Sequence, residues 1–324
     1  MMIMIAIKRY HSDDFNAWNE FVENSKNATF LFNRNYLDYH ADRFKDHSLV
    51  VFEDNKMAAL LPANERGNSI VSHGGLSYGG LILNRNITLR EVLNYFYHIL
   101  KHYHGAGFEG ILYKCLPSYL AQSISQEDLY VMHLLGAQLV RRDTSCVLPL
   151  QNSLPYQERR KRAIKKASKA GIQVREHTDP TFFWDNILAP NLQERYKIKP
   201  VHSLPEIKLL MSRFPERIRL FEAVKDTPLA GTIIYETPTV AHAQYISATA
   251  EGKDTGALDL LFDHLIKNVY PAKQYFSFGI SNEQDGKYLN QGLQDWKEGF
   301  GARTYIIDFY VARTEQYTKL PTYD

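Results

Sequence analysis

At 324 residues, with 44% hydrophobic and 23% charged residues, the chain is long enough for two domains and has a globular rather than a disordered composition. Its net charge of +2 supplies no molecule-wide field to gather DNA, so a polyanion would have to be met at a local patch. Cys115 and Cys146 lack disulfide-framework or zinc spacing and fit a reducing, cytoplasmic compartment, and no run approaches the ~18–20 apolar residues of a membrane span.

In chain order, Met1–Ile7 is apolar but has neither a basic leader nor a cleavage site, and reads as a first strand rather than a signal peptide. Leu49–Leu61 reads as strand, two-residue polar turn, strand. Ser72-His-Gly-Gly-Leu-Ser-Tyr-Gly-Gly-Leu81 then brings four glycines, which let backbone approach a ligand or another strand. No Gly-Lys-Ser/Thr follows, so it is not a P-loop. His73 and Tyr78 offer the polar tips here, either to a bound acceptor or simply within a bulged strand and tight turn. A helix is expected from Thr88, whose hydroxyl makes a capping box with Glu91. Leu89, Val92, Leu93, Phe96 and Leu100 line its apolar face and Gly105 stops it. His98, His102 and His104 near its end have no Cys, Asp or Glu to complete a set, so no metal is expected. A strand at Phe108–Leu116, a helix ending in Gly136-Ala137 and a closing strand to Leu148, holding Cys146 in the core, complete the first half.

The pattern then repeats. Leu220–Ile234 again reads as strand, turn, strand, and pairing Ala58 with Ala230 gives an offset of 230 − 58 = 172. A second helix beginning near Thr255, with Leu258, Leu261, Phe262, Leu265 and Val269 on one face, gives 255 − 88 = 167. The closing strands after Gly136-Ala137 and Gly301-Ala302 give 301 − 136 = 165. Three elements recurring at offsets of 165–172 favour duplication of a unit of order strand–strand–strand–helix–strand–helix–strand over two unrelated α/β halves that share common supersecondary units. The expected boundary lies near Leu150, dividing residues 1–150 from 151–324.

Two segments of the second half carry candidate chemistry. Glu158–Lys169 is a helix with seven cations in twelve residues and a thin stripe of Ala163, Ile164, Ala167 and Ala170. Such a face is either simply solvated or a surface for phosphates, whether of a nucleotide-linked sugar or an RNA backbone. Tyr245–Ala257 is a strand-to-helix connection whose backbone N–H groups can hold an anion.

Near the C-terminus, Phe276–Ala302 reads as an aromatic strand ending at Gly279, a polar turn and a helix stopped by glycines. Asn290, Leu293, Lys297, Gly301 and Ala302 stand at offsets 0, +3, +7, +11 and +12. GNAT acyltransferases carry Asn, Ala, Tyr, Gly and Phe at those offsets, and FemABX transferases, which share the fold, carry a lysine in a Phe-Lys-x-x-Phe-Gly context. Trp296-Lys297-Glu298-Gly299-Phe300-Gly301 resembles the second version. The likeness is strongest over Arg219–Ala312. It extends to Arg160–Val174, where the basic helix is similar to an Arg-x-x-Ile-x-Lys-Ala-x-Lys-x-Gly stretch of FemABX proteins, and it is weak in the first half.

The resemblance implies an α/β fold of two tandem GNAT-like domains with mixed sheets flanked by helices. It implies an amide-forming N-acyltransferase acting on an amine of a peptidoglycan (cell-wall) or surface-glycan precursor, with aminoacyl-tRNA as acyl donor and no tightly bound cofactor. The alternative is an acyl-CoA-dependent N-acetyltransferase acting on an amino sugar or another small amine. The acceptor is a small molecule or nucleotide-linked glycan, and the chain a monomer or homodimer. Lys297 takes the catalytic place, stabilising the oxyanion or protonating the leaving group. Arg160 and Arg162 face donor or acceptor phosphates, amides near Ser247 and Ala248 in the Tyr245 strand polarise the acyl carbonyl, and Gly256 sits where GNAT enzymes bind pyrophosphate. The chain departs from the family pattern in several places. Leu258 replaces a small residue, and Glu251, Asp254 and Asp259 crowd the anion site. Asn33 lies near the position of a family Gln, its partner Lys has no counterpart, and no long coiled-coil arm is present. In the first half Met132 stands at the place of Lys297 (297 − 165), so the second half is expected to hold the acyl centre, with the first half gripping the acceptor through Tyr78.

Overall fold

The structure, a computed structural model, describes residues 4–322 apart from the side chain of Tyr196; Met1–Ile3 of the expected first strand lie outside the described residues. The chain forms two compact units, Met1–Asp143 with Ile306–Asp324, and Thr144–Tyr305.

The first unit begins with β1 (Ile5–Arg9), α1 (Phe15–Asn24) and α2 (Arg34–Leu37), followed by β2 (Leu49–Glu53) and β3 (Lys56–Leu61). Asp54 and Asn55 turn this hairpin at φ 46° and 64°, the left-handed region that Asp and Asn tolerate and a tight hairpin demands. Next come β4 (Asn64–Arg66), β5 (Ser69–Val71), β6 (Ile82–Leu83), α3 (Leu89–Gly105), β7 (Gly110–Lys114), α4 (Glu127–Leu135) and β8 (Gln138–Pro149). The Thr88/Glu91 capping box forms, and α3 buries Val92, Leu93, Tyr95, Phe96, Ile99, Leu100 and Tyr103. Leu89, expected on that face, is instead 41% exposed, because it sits in the first turn, ahead of the buried stretch that starts at Val92. Gly105 remains helical, and the chain turns at Gly107, φ +88°.

The second unit holds α5 (Glu158–Lys169), β9 (Gln173–His177), a π-helical turn Phe183–Leu188 running into α6 (Ala189–Tyr196), α7 (Leu204–Arg213), β10 (Ile218–Val224), β11 (Pro228–Glu236) and β12 (Val240–Ala248). α8 (Ala250–Thr255), α9 (Ala257–His264), β13 (Tyr275–Ile280), the short β14 (Asn282–Glu283) and β15 (Tyr288–Leu289) and α10 (Gln291–Glu298) follow, and β16 (Arg303–Arg313) comes last in the chain, its residues from Ile306 on belonging to the first unit. Its sheet runs in the order β8, β13, β12, β11, β10, β9. Phe262 of α9 anchors the core, its ring centroid 5.7 Å from Phe276, 5.2 Å from Phe278 and 5.2 Å from Trp296, edge-on or stacked.

Two expectations need correction. The second helix starts at Thr249 rather than near Thr255: the Thr249 hydroxyl accepts the N–H of Gly252 at 3.0 Å, and Gly256, at φ +82°, then breaks the helix into α8 and α9. The closing strands also trade places. β8 pairs through Ser145–Pro149 with β13 in the second unit, and β16 pairs through Phe309–Arg313 with β7 in the first. Sequence offsets show that two strands are alike, but hydrogen-bonded neighbours are chosen by tertiary contact.

Candidate active site

β12 and β13 are parallel and pair over only three positions, Val240↔Tyr275, Ala241↔Phe276 and His242↔Ser277, before they part. Each strand is bulged just beyond the last pair. In β12, Ile233↔Tyr245 is followed by Ile234↔Ala243, which leaves Gln244 without a partner in β11. In β13, Ser277↔Val147 is followed by Gly279↔Cys146, which leaves Phe278 over. The Gln244 bulge has a direct consequence for side chains. Ala241, Ala243, Ile246 and Ala248 face the core around α9, while His242, Tyr245 and Ser247 share the other face. Without the extra residue Tyr245 and Ser247 would point into that core.

Lys297 of α10 sits at the bulged end of β13. Its ammonium donates to the Gly279 carbonyl at 3.0 Å and to the Ile280 carbonyl at 2.5 Å, leaving one of its three N–H groups unused among the described residues. The side chain is 2% exposed, and burial lowers its pKa from 10.5 to about 8. The Cys146 thiol, buried and hydrogen-bonded to Gln294 at 3.1 Å, lies close enough to favour the charged amine slightly. Gly279 turns the chain at φ +71°, with space for a Cβ only 3.4 Å from the His242 ring. His242 Nδ1 is 2.9 Å from the Ser277 hydroxyl. Burial, and then the neighbouring Lys297 charge, lower the His242 pKa to about 4, so its ring is neutral at ordinary pH. His242 sits in no motif, and the signal it offers in the sequence is a histidine between the alanines Ala241 and Ala243 of a strand.

The first unit repeats this parallel pair as β5 and β7, with Ser69↔Gly110, Ile70↔Ile111 and Val71↔Leu112. The offsets, 240 − 69 = 171 and 275 − 110 = 165, match those of the sequence repeat. Here Val71 stands for His242 and buried Met132 for Lys297. At the place of Gly279 stands Lys114, whose ammonium donates to the carbonyls of His73 at 3.0 Å and Leu76 at 2.6 Å, closing the parting with the glycine-rich segment itself. His73, at φ +67° and 3% exposed, stacks on His40. The Tyr78 hydroxyl is hydrogen-bonded to Thr29 at 2.9 Å and buried. The Tyr78 hydroxyl is thus engaged within the unit, whereas the buried His73 Nδ1 has no hydrogen-bond partner among the described residues.

The other expected site residues fall around the second unit. Tyr245 packs edge-on to Trp184 and its hydroxyl meets His202 Nδ1 at 2.5 Å. The Ser247 hydroxyl accepts from Asn191 Nδ2 at 2.8 Å, and the Ala248 carbonyl takes a second bond from the same amide. Arg160 pairs with Asp259, while Arg162 is exposed. A Cβ on Gly256 would stand 2.7 Å from the Ala163 carbonyl, so this glycine serves the close packing of α5 against the helix break. Lys297 and His242 are thereby drawn together, Tyr245 and Ser247 lie further along the same strand, and Arg160 and Gly256 are taken up in packing.

Two α/β units, each built around a parallel strand pair that parts, make a tandem GNAT-like fold. No family model and no curated protein matches the chain in sequence. Among solved structures, FemX matches with a TM-score of 0.65 and 11% identity, over 93% of this chain and 96% of that one. The C-terminal domain of a putative lysylphosphatidylglycerol synthetase from Agrobacterium fabrum matches at 0.60 and 13% identity, over 95% of each chain. A tandem GNAT protein from the clavulanic acid biosynthesis pathway matches at 0.50 and 12%, over 96% of this chain and 99% of that one.

Proposed function

We propose that the protein is an aminoacyl-tRNA-dependent N-acyltransferase that forms an amide on an amine of a cell-wall or surface-glycan precursor, with its acyl centre in the second unit. The observation that carries this is the buried Lys297 ammonium at the point where β12 and β13 part, against a first unit whose parting is closed by Lys114. The acceptor nitrogen attacks the acyl carbonyl carbon and an oxyanion forms. The free N–H of Lys297 meets the developing charge, in a site already desolvated. As the tetrahedral species collapses, the bond to the leaving oxygen breaks and Lys297 gives that oxygen its proton. The proton shed by the new amide nitrogen returns to the amine, so the lysine ends charged. A lysine brought down to about 8 by burial is suited to both transfers near neutral pH. The neutral His242, fixed by Ser277, orients the acceptor.

A coenzyme A donor is the second reading. Against it, one N–H of the first turn of α8 is already satisfied, Thr249 capping the Gly252 amide. The exposed Arg162, Lys165 and Lys169, one face of α5, suit an RNA backbone better.

The test incubates the purified protein with a pool of radiolabelled aminoacyl-tRNA, or with acetyl-CoA, and an amine-bearing peptidoglycan precursor. Loss of label from tRNA into an alkali-stable amide is expected, falling ~10²–10³-fold in Lys297→Met. Turnover of acetyl-CoA alone would favour the second reading, turnover of neither donor would refute both, and full activity in Lys297→Met with an unchanged unfolding midpoint would remove Lys297 from the chemistry.

A further inference from the structure

The connection between α6 and α7 has a surface that the proposed chemistry leaves unused. α6 closes with Lys197 in the left-handed region, φ +57°, its N–H bonded to the Gln193 carbonyl. At the other end His202 is buried, its ring and its backbone N–H both on the Tyr245 hydroxyl, and Ser203 starts α7 with a capping box to Glu206. Both ends are therefore held, and the chain between them is pushed outward. Ile198 is 53% exposed and Val201 73%, next to Pro200, which stiffens the tip. Lys197 and Lys199, on either side of Ile198, are exposed, and no acidic residue occurs from Arg195 to Pro205. Two apolar side chains held in water beside two lysines have the chemistry of an interfacial anchor: the apolar groups enter the boundary between headgroups and acyl chains, and the ammonium groups meet lipid phosphates.

We propose that residues 197–201 dock the second unit on an anionic lipid surface. The buried contact of His202 with Tyr245 ties this tip to β12, the strand that carries His242, so docking would bring the proposed acyl centre to acceptors displayed on a membrane. This rests on the proposed function only for what the docking is for. The binding itself is read without turnover, so the two can fail separately.

The full chain is sedimented with vesicles of phosphatidylglycerol and phosphatidylcholine in equal parts, and with vesicles of phosphatidylcholine alone. Weak, salt-reversible binding to the anionic vesicles is expected. Lys197→Glu with Lys199→Glu, and separately Ile198→Asp with Val201→Asp, should each lower the partition coefficient about tenfold or more, with the unfolding midpoint unchanged. No binding to anionic vesicles overturns the proposal. So does binding that survives both double variants but is lost in Arg162→Glu with Lys165→Glu, which would assign it to α5. A change in KM for a soluble acceptor without a change in vesicle binding would make the tip a substrate loop instead.

Discussion

A short sequence pattern singles out Lys297, yet what makes it chemically distinctive is its burial. An exposed lysine keeps its charge past pH 10, whereas this one loses it near 8. If the ammonium is the active form, the transfer rate should fall as pH rises through about 8. Lys297→Arg, which cannot lose its charge in that range, should keep whatever rate it retains flat to pH 9.5. Rate profiles of the two proteins over pH 6–9.5 check this, and parallel declines would remove Lys297 from the titration. Gly256 calls for another kind of test. Gly256→Ala places a Cβ 2.7 Å from the Ala163 carbonyl at φ +82°, and should cost about 1–3 kcal/mol in a urea titration. A loss of coenzyme A binding in that variant would therefore report on folding, not on a pyrophosphate site.

At the level of elements, the bulge in β12 decides which residues line the site. Deleting Gln244 would restore regular pairing with β11 and turn Tyr245 and Ser247 toward the α9 core, burying a phenol and a hydroxyl away from His202 and Asn191. The expected outcome is loss of cooperative unfolding or a strongly lowered midpoint; a deletion variant as stable as the parent would refute the register argument. The helix ends are a milder case. Thr88 and Ser203 each cap their helix in a reciprocal box with Glu91 and Glu206. Replacing either by Ala should cost about 1 kcal/mol, seen as a shift of the denaturation midpoint without change of slope.

For the whole molecule, each unit holds a histidine that burial keeps neutral: His73, lowered from 6.5 to about 3 with His40 adding to the effect, and His242, lowered to about 4 with Lys297 adding. Between pH 6.5 and about 4 the unfolded chain binds protons that the folded one refuses, so stability must fall as pH falls through that window. Asp128, raised by burial from 3.8 to about 6, works in the opposite direction over part of it. Burial also lowers His98 and His102 and raises Asp259, so four histidines act against two acids, and urea midpoints should drop between pH 7 and 4.5. His73→Gln and His242→Gln should each flatten that slope; an unchanged slope in both would place the acid sensitivity elsewhere.

The amino-acid order by itself determined the local units: hairpins from turn residues, α3 from its capping box and apolar spacing, the repeat from its offset, and the lysine-bearing helix after an aromatic strand. These depend on neighbours within a few residues, so periodicity and propensity suffice to read them. Tertiary structure decided that β8 and β16 pair with each other's expected partners, that the helix after β12 starts at Thr249, and that bulges at Gln244 and Phe278 bring His242 beside Lys297. Each of those outcomes is a competition between distant segments for one set of backbone hydrogen bonds and one core. A single residue of register there reverses the face of every side chain that follows.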